Sequence, residues 1–239
     1  MTRRKGQYLV IGVCVLLVAL ASVTSARAAY IEQFNTYPNG WYGDTINDTG
    51  TTTGYSPILS ATGGNPGGML YELANNTSER LFGIYISQTT NPGFWGDLTG
   101  LALTTDFKIS GSVTGGKDVL AWFFIESSNN WYYSNMTWNP NADTAWTTHT
   151  VALTADNFSF GSGSGNFADT LKDYEIIGIL FGTQMAQNYS QDGLSSAAGA
   201  TLAIDNFGVQ AVPEPATMLL LGSGLLGLAG YGRRKLFKK

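Results

Sequence analysis

The sequence predicts an all-β domain that lies between two terminal apolar segments. Between residues 30 and 212, apolar side chains alternate along short runs, as in strands with one buried face, and no segment shows a helical spacing. Clusters of Gly, Asn, Asp, Pro and Ser separate these runs. The chain has 239 residues, of which 44% are hydrophobic, so it can bury a substantial core. Eight or more predicted strands in this arrangement indicate a single antiparallel β-sandwich of the jelly-roll kind.

The strand pattern is clearest in three runs. Residues 80–87 and 101–109 alternate apolar and polar side chains, which predicts strands with one buried and one solvated face. Residues 119–125 are apolar on both faces, which predicts a central strand covered on both sides. Further strands are predicted at 131–138, 146–153, 174–183 and 201–209. In the last run the apolar parity changes around Asp205-Asn206, which predicts a β-bulge.

The charges exclude several classes of function. The chain has 13 Lys and Arg against 17 Asp and Glu, a net charge of −4, but nine of the basic residues lie near the termini. Residues 29–212 alone carry four basic and 16 acidic side chains, a net charge of −12. This charge disfavours nucleic-acid binding, which needs a basic surface. With one His and one Cys, the chain cannot build a zinc finger, a three-histidine metal site or an iron–sulfur site.

The N-terminal segment has the three parts of a secretory signal peptide. Basic residues at 3–5 precede an apolar run at 8–23, and a small-residue cleavage site with Ala26 and Ala28 follows. We therefore expect signal peptidase to cleave after Ala28 and to remove residues 1–28, together with Cys14. The alternative is a signal helix that stays uncleaved as an anchor.

The C-terminal segment, residues 213–239, contains a second sorting pattern. Pro213-Glu214-Pro215 precedes an apolar run at 216–231, and a basic tail follows. The run predicts a short transmembrane helix that holds the chain in the membrane before processing, with the tail in the cytoplasm. The order of the three parts resembles the PEP-CTERM sorting signal of Gram-negative bacteria. This resemblance implies cleavage near residues 213–215 by an exosortase and delivery to the cell surface or the exopolysaccharide matrix. The alternative is an ordinary tail anchor.

The middle of the chain, residues 29–212, contains a series of segments in a characteristic order. They are residues 64–70 (GNPGGML), 94–97 (FWGD), 101–107 (LALTTDF), 146–153 (WTTHTVAL), 169–171 (DTL) followed by 176–181, and 204–207 (IDNF). This order resembles the laminin-B (laminin IV type A) domain, which is similar to jelly-roll carbohydrate-binding modules. The resemblance implies an adhesive or structural module without catalytic residues.

An aromatic run at residues 129–138 (NNWYYSNMTW) is the candidate carbohydrate-binding segment. Aromatic rings stack on the apolar faces of sugar rings, and the amide side chains between them can bind hydroxyl groups. Strand alternation places Trp131 and Tyr133 on one face, and Tyr132 and Trp138 on the other. We expect one face to belong to the core and the other to form a binding platform. The alternative is that both faces only pack.

Two acidic residues are candidate ligands of a structural calcium ion. In jelly-roll sugar-binding modules such an ion often joins the first and last strands, where this chain has Glu32 and Asp205. Carboxylate oxygens suit Ca²⁺. The alternative for Asp205 is that it caps the backbone at the bulge. No other cofactor is expected.

The sequence favours an exported, non-enzymatic adhesive or structural protein of the cell surface or exopolysaccharide matrix. The first alternative is a carbohydrate-binding module with a defined glycan ligand. The second is a polysaccharide-active enzyme that uses two carboxylates, because 16 acids are present in the middle region. The single histidine, His149, is expected to be a structural residue of a strand.

Overall fold

A computed structural model describes most of the β-domain. The described residues are 30–36, 40–47, 52–74, 79–87, 96–110, 119–128, 130–139, 145–182, 200–212 and 223–224. The predicted signal segment with Ala26 and Ala28, and Pro213-Glu214-Pro215, lie outside them. In this part of the chain, no helix is long and apolar enough to span a membrane.

Thirteen strands are described. They are β1 (Tyr30–Glu32), β2 (Trp41–Asn47), β3 (Thr52–Tyr55), β4 (Ile58–Gly64), β5 (Gly67–Ala74), β6 (Glu79–Ser87), β7 (Leu101–Ser110), β8 (Leu120–Ser127), β9 (Asn130–Ser134), β10 (Thr147–Ala152), β11 (Phe158–Gly163), β12 (Ile176–Gly182) and β13 (Ala200–Ala211). A 3-10 turn (Ala155–Asn157) precedes β11, and a short helix, α1 (Phe167–Lys172), precedes β12. Residues Ala29–Gln210 form one compact unit.

The strands form two antiparallel sheets that pack as a sandwich, which confirms the predicted fold class. The first sheet has six strands in the order β10-β7-β13-β5-β4, and β1 pairs with the C-terminal part of β13. The second sheet has seven strands in the order β11-β9-β8-β12-β6-β2-β3. We call them the six-stranded and the seven-stranded sheet.

The main core lies between the sheets and is rich in aromatic rings. Phe107 of the six-stranded sheet contacts Phe123 of the seven-stranded sheet, with ring centroids 6.4 Å apart, and Phe123 also lies 6.1 Å from Phe207. All three side chains are fully buried. The predicted central strand is β8, which lies between β9 and β12 and is buried on both faces. The predicted bulge coincides with Asn206, whose φ is 49°.

Four sequence-based expectations were wrong in detail. The face of residues 101–109 that was predicted to be solvated is buried in β7, because its polar side chains are covered by hydrogen-bonded neighbours: Thr104 bonds to Thr150, and Asp106 accepts from Asn206.

Helix α1 was not predicted, because six residues are too few to show a helical period. It begins after Asn166, whose side-chain oxygen accepts the Asp169 N–H at 2.9 Å, as a helix cap does. The Gly-Ser run at 161–165 (GSGSG), whose composition predicts a flexible loop, is partly strand, since β11 continues to Gly163. The strand predicted at 131–138 ends at Ser134, and Trp138 forms only an isolated bridge with Ala121.

Candidate functional site

The candidate site lies on the outer face of the seven-stranded sheet, away from the main core. Along β8, Phe123 and Ile125 point into the core, whereas Trp122 and Phe124 belong to a second apolar cluster. That cluster also contains Trp131 and Leu180, and four partly buried residues pack against it: Tyr85, Leu120, Tyr133 and Ile176. We call this surface the outer face. The outer side of a sandwich sheet usually carries polar side chains. The apolar cluster on this side is therefore unusual and marks the outer face as a candidate binding surface.

The strand register places five residues of the outer face in one line across the sheet. Tyr133 of β9 pairs with Phe124 of β8, and Phe124 pairs with Gly178 of β12. Gly178 pairs in turn with Tyr85 of β6, and Tyr85 pairs with Tyr42 of β2. We call this line the aromatic row. It crosses four strand spacings, about 19 Å.

Three rings of the aromatic row contact one another in succession, and the fourth, Tyr133, contacts Trp131 beside the row. Tyr42 and Tyr85 are stacked, with centroids 6.0 Å apart and planes at 29°. Tyr85 meets Phe124 edge to face at 6.2 Å, and Tyr133 lies 5.1 Å from the ring of Trp131. Tyr42 is 42% exposed, and Tyr85 and Tyr133 are half-buried. The three tyrosines of the row therefore present ring surface to the solvent on a fixed strand framework, whereas Phe124 is only 5% exposed.

Two glycines make room for these rings. A Cβ on Gly178 would lie 2.5 Å from the Cβ of Tyr85 and 2.4 Å from the backbone oxygen of Ile84. A Cβ on Gly161 of β11 would lie 1.6 Å from Cε3 of Trp131. All three distances are far below van der Waals contact. The close approach of Tyr85 and Trp131 to the backbone therefore depends on glycine at these positions.

Carboxylates accompany the aromatic row. The Tyr85 hydroxyl donates to Oδ2 of Asp44 at 2.9 Å. Burial, with the charge of Asp44 as the next cause, raises the pKa of Tyr85 well above its ordinary range, so the phenol stays protonated. Burial also raises the pKa of Glu126, and the nearby charges of Glu175 and Asp44 add to the increase. The outer face therefore combines ring surface with hydrogen-bonding oxygen atoms and negative charge.

The four aromatic residues predicted from the sequence are divided between the two faces. Trp131 and Tyr133 lie on the outer face, although Trp131 is only 7% exposed. Tyr132 belongs to the main core and packs edge to face on Phe167 at 5.0 Å. Trp138 packs against the same core and contacts Phe123 at 5.1 Å. Tyr132 and Trp138 are therefore not placed on the candidate site.

The sequence did not identify two important residues of the outer face, Tyr85 and Phe124. The pair Trp41-Tyr42 is a weaker aromatic candidate in the sequence, expected to be a core or loop anchor; the structure buries Trp41 and leaves Tyr42 42% exposed. The strand parity in residues 80–87 does place Tyr85 opposite to Phe82, Ile84 and Ile86, which was the available signal. The pairing that joins β2, β6, β12, β8 and β9 was needed to bring these rings into one row.

The predicted calcium ligands both lie in the six-stranded sheet and already have hydrogen-bond partners. Glu32 accepts the Tyr30 hydroxyl at 3.0 Å and the Phe34 N–H at 3.2 Å. Asp205 is 0% exposed and accepts the backbone N–H groups of Asn65 at 2.5 Å and of Asn206 at 2.7 Å. Within the described ranges, no three His, Cys, Asp or Glu side chains are placed to hold a metal ion. Calcium at Glu32 and Asp205 stays a prediction.

Burial raises the pKa of Asp205 to about 6, and the charges of Asp106 and Glu32 contribute to the increase. The two backbone N–H groups act in the opposite direction, because they stabilise the carboxylate. The Asp205 side chain thereby connects the β4–β5 turn at Asn65 with the bulge of β13. This is the backbone-capping role that the sequence left open as an alternative.

Comparison with known proteins identifies the C-terminal segment. The model of the PEP-CTERM protein-sorting motif matches residues 211–235. No curated protein matches the sequence.

The solved structures that the chain is similar to include carbohydrate-binding modules. A family 11 carbohydrate-binding module from Clostridium thermocellum is 15% identical with a TM-score of 0.42, over 78% of this chain and 99% of that one. A xylan-binding module, CBM15, is 11% identical with a TM-score of 0.43, over 78% and 98%. An exo-β-agarase is 11% identical with a TM-score of 0.42, and the match spans 78% of this chain but a quarter (25%) of the agarase.

The motif match confirms the sorting signal predicted from Pro213-Glu214-Pro215, the apolar run and the basic tail. Such a motif indicates an exported protein that an exosortase processes. The chain therefore consists of a β-sandwich followed by a PEP-CTERM protein-sorting motif.

Proposed function

We propose that this protein is a non-catalytic glycan-binding module that is exported and then acts in adhesion at the cell surface or in the exopolysaccharide matrix. The observation that carries the proposal is the aromatic row, which places Tyr133, Phe124, Tyr85 and Tyr42 across five strands of the outer face.

The chemistry of the outer face suits a polysaccharide chain. The face of an aromatic ring is electron-rich and attracts the C–H groups on the apolar side of a sugar ring. The Asp44 carboxylate and the Tyr85 hydroxyl can bind sugar hydroxyl groups at one end of the row. A row about 19 Å long, fixed by a sheet, fits an extended polymer better than a compact small molecule.

The arrangement of the acids favours binding over catalysis. Glycosidases hold two carboxyl groups on opposite sides of one bond, about 5–10 Å apart. On the outer face, Asp44 and Glu126 lie on β2 and β8, which are separated by β6 and β12. Three strand spacings put the two backbones about 14 Å apart across the sheet, although the two side-chain charges still interact. Asp44 is also held by the Tyr85 hydroxyl. We therefore infer that the acids help to bind and orient a glycan.

The test is glycan binding by variants that lack one exposed ring. Tyr42→Ala and Tyr85→Ala should each weaken binding to a soluble neutral polysaccharide about five- to tenfold, since one ring contact contributes about 1 kcal/mol. The matched control is Tyr71→Ala, because Tyr71 is a half-buried tyrosine of the six-stranded sheet. Mixed-linkage β-glucan, galactomannan and xyloglucan form the panel, and isothermal titration calorimetry gives the Kd.

Three results would contradict the proposal. The first is an absence of binding to every polymer of the panel. The second is an equal loss of affinity in Tyr71→Ala, which would separate binding from the outer face. The third is the release of reducing ends from a bound polymer, which would favour the enzymatic alternative.

A further inference from the structure

The outer face has negative charge on both sides of the aromatic row. Asp44 and Glu126 are half-buried side chains of β2 and β8, and the exposed Glu175 directly precedes β12. Glu175 lies beside Glu126, since its N–H donates to the Glu126 carbonyl at 2.8 Å. Asp44 does not point freely into solvent, because the Tyr85 hydroxyl holds its carboxylate at 2.9 Å. A ligand on the row therefore meets an Asp44 carboxylate that is held in one position.

Arg80 of β6 is the one basic residue in the seven strands of this sheet, and its side chain lies outside the described part of the chain. The side chains that the structure does describe in these strands include no basic one. The two basic side chains that the structure describes in other elements are engaged elsewhere. Lys108 of β7, in the six-stranded sheet, lies 5.8 Å from the ring of Trp146. Lys172 of α1 forms a surface pair with Asp169 at 3.9 Å. The described part of the outer face therefore offers no cation to an anionic ligand.

We propose that Asp44 and Glu126 make the outer face selective for uncharged polysaccharides and reject chains that carry uronate or sulfate groups. This inference rests on the proposed glycan-binding function and deepens it, since it assigns the substrate class and the residues that set it.

The physical basis is repulsion between like charges at short range. Two like charges about 4 Å apart repel by about 1 kcal/mol in water and more beside a protein surface, which corresponds to about fivefold in affinity or more. Two carboxylates at that distance from charged groups of the ligand therefore give an expected discrimination of about 25-fold at low salt. An ionic strength of about 1 M shortens the Debye length to about 3 Å and should remove most of the discrimination between neutral and charged chains. Hydrogen bonds to neutral hydroxyls do not depend on salt in this way.

The decisive experiment compares one polymer with its own charged derivative. The neutral probe is mixed-linkage β-glucan, and the charged probe is the same glucan after partial oxidation of its C6 hydroxymethyl groups to carboxylates. The wild-type protein should bind the neutral glucan at least about tenfold more tightly than the oxidised one at low salt. The double variant Asp44→Asn/Glu126→Gln should bind both forms within about threefold of each other.

A control variant separates these two residues from the overall charge of the protein. Asp156→Asn/Asp169→Asn removes the same net charge from exposed residues outside the outer face, and it should keep the wild-type discrimination. Two results would overturn the charge-selectivity inference but leave the proposed glycan binding intact. One is equal binding of both glucans by the wild-type protein, and the other is a control variant that gains affinity for the oxidised glucan as the double variant does. A wild-type protein that binds neither glucan nor the other neutral polymers would overturn the proposed function as well.

Discussion

Replacing Asp205 by Asn should remove a pH-dependent loss of stability from the six-stranded sheet. The Asp205 side chain is fully buried, and its carboxylate has two backbone N–H donors, from Asn65 and Asn206. These two bonds do not compensate for the lost hydration. Burial raises the pKa of Asp205 from its ordinary value of 3.8 to about 6.

The sign and size of the effect follow from proton linkage. Between pH 3.8 and about 6 the folded protein keeps a proton on Asp205 that the unfolded chain has already lost. The free energy of unfolding therefore decreases as the pH rises through this window. At about 1.4 kcal/mol per pH unit, the full decrease is about 3 kcal/mol, complete once the pH exceeds the folded pKa. Asp205→Asn cannot ionise, so it should show only a constant offset of about 1 kcal/mol for a lost hydrogen bond.

The assay is urea unfolding followed by tryptophan fluorescence from pH 3.5 to 8, with a chelator present. The quantity of interest is the difference in unfolding free energy between wild type and Asp205→Asn, because other carboxyl groups affect both proteins alike. This difference should decrease by about 3 kcal/mol from pH 4 to 7. Asp169→Asn, which removes an exposed carboxylate, is the matched control. A difference that stays constant, or that increases with pH, would refute the reasoning about burial.

Three further predictions concern the sheet, the ion and the sorting motif. Gly178→Ala should lower the free energy of unfolding in urea by about 1–3 kcal/mol, because the new Cβ would lie 2.4 Å from the Ile84 carbonyl oxygen. An unchanged urea midpoint of unfolding would contradict this packing argument. If Glu32 and Asp205 bind calcium, 1 mM CaCl₂ should raise the Tm of the wild type in calorimetry but not that of Glu32→Gln. Replacing residues 213–215 by Ala should leave a larger, membrane-bound form on immunoblots of cell fractions, and normal processing would exclude these residues as the exosortase signal.

Strand parity was the part of the fold that the sequence made predictable. Alternation in residues 101–109 gave the core-facing side chains of β7, although the opposite face, predicted to be solvated, is buried as well. The double apolar pattern of residues 119–125 gave the central position of β8. Both depend only on neighbours along one strand, so they need no knowledge of pairing. The same reasoning put Trp131 and Tyr133 on the face opposite to Tyr132, as the structure has them.

The candidate site was less predictable because it depends on register between distant strands. Tyr42 and Tyr85 are 43 positions apart, and they stack only because β2 pairs directly with β6. The aromatic run at 129–138 looked like one continuous platform, but the chain leaves the strand after Ser134. No local pattern in these residues encodes which strand will lie beside them.

The two sheets use their outer sides for different purposes. On the six-stranded sheet, buried polar groups connect strands: the Asp106 carboxylate accepts from Asn65 at 3.2 Å and from Asn206 at 2.7 Å, next to Asp205. On the seven-stranded sheet, rings and carboxylates stay partly accessible. Polar networks give a sheet a unique register but have no free groups left for a ligand. Because the Asp205 network and the aromatic row lie on different sheets, Asp205→Asn should leave glycan binding unchanged, and removal of the exposed Tyr42 ring should leave the pH dependence of stability unchanged.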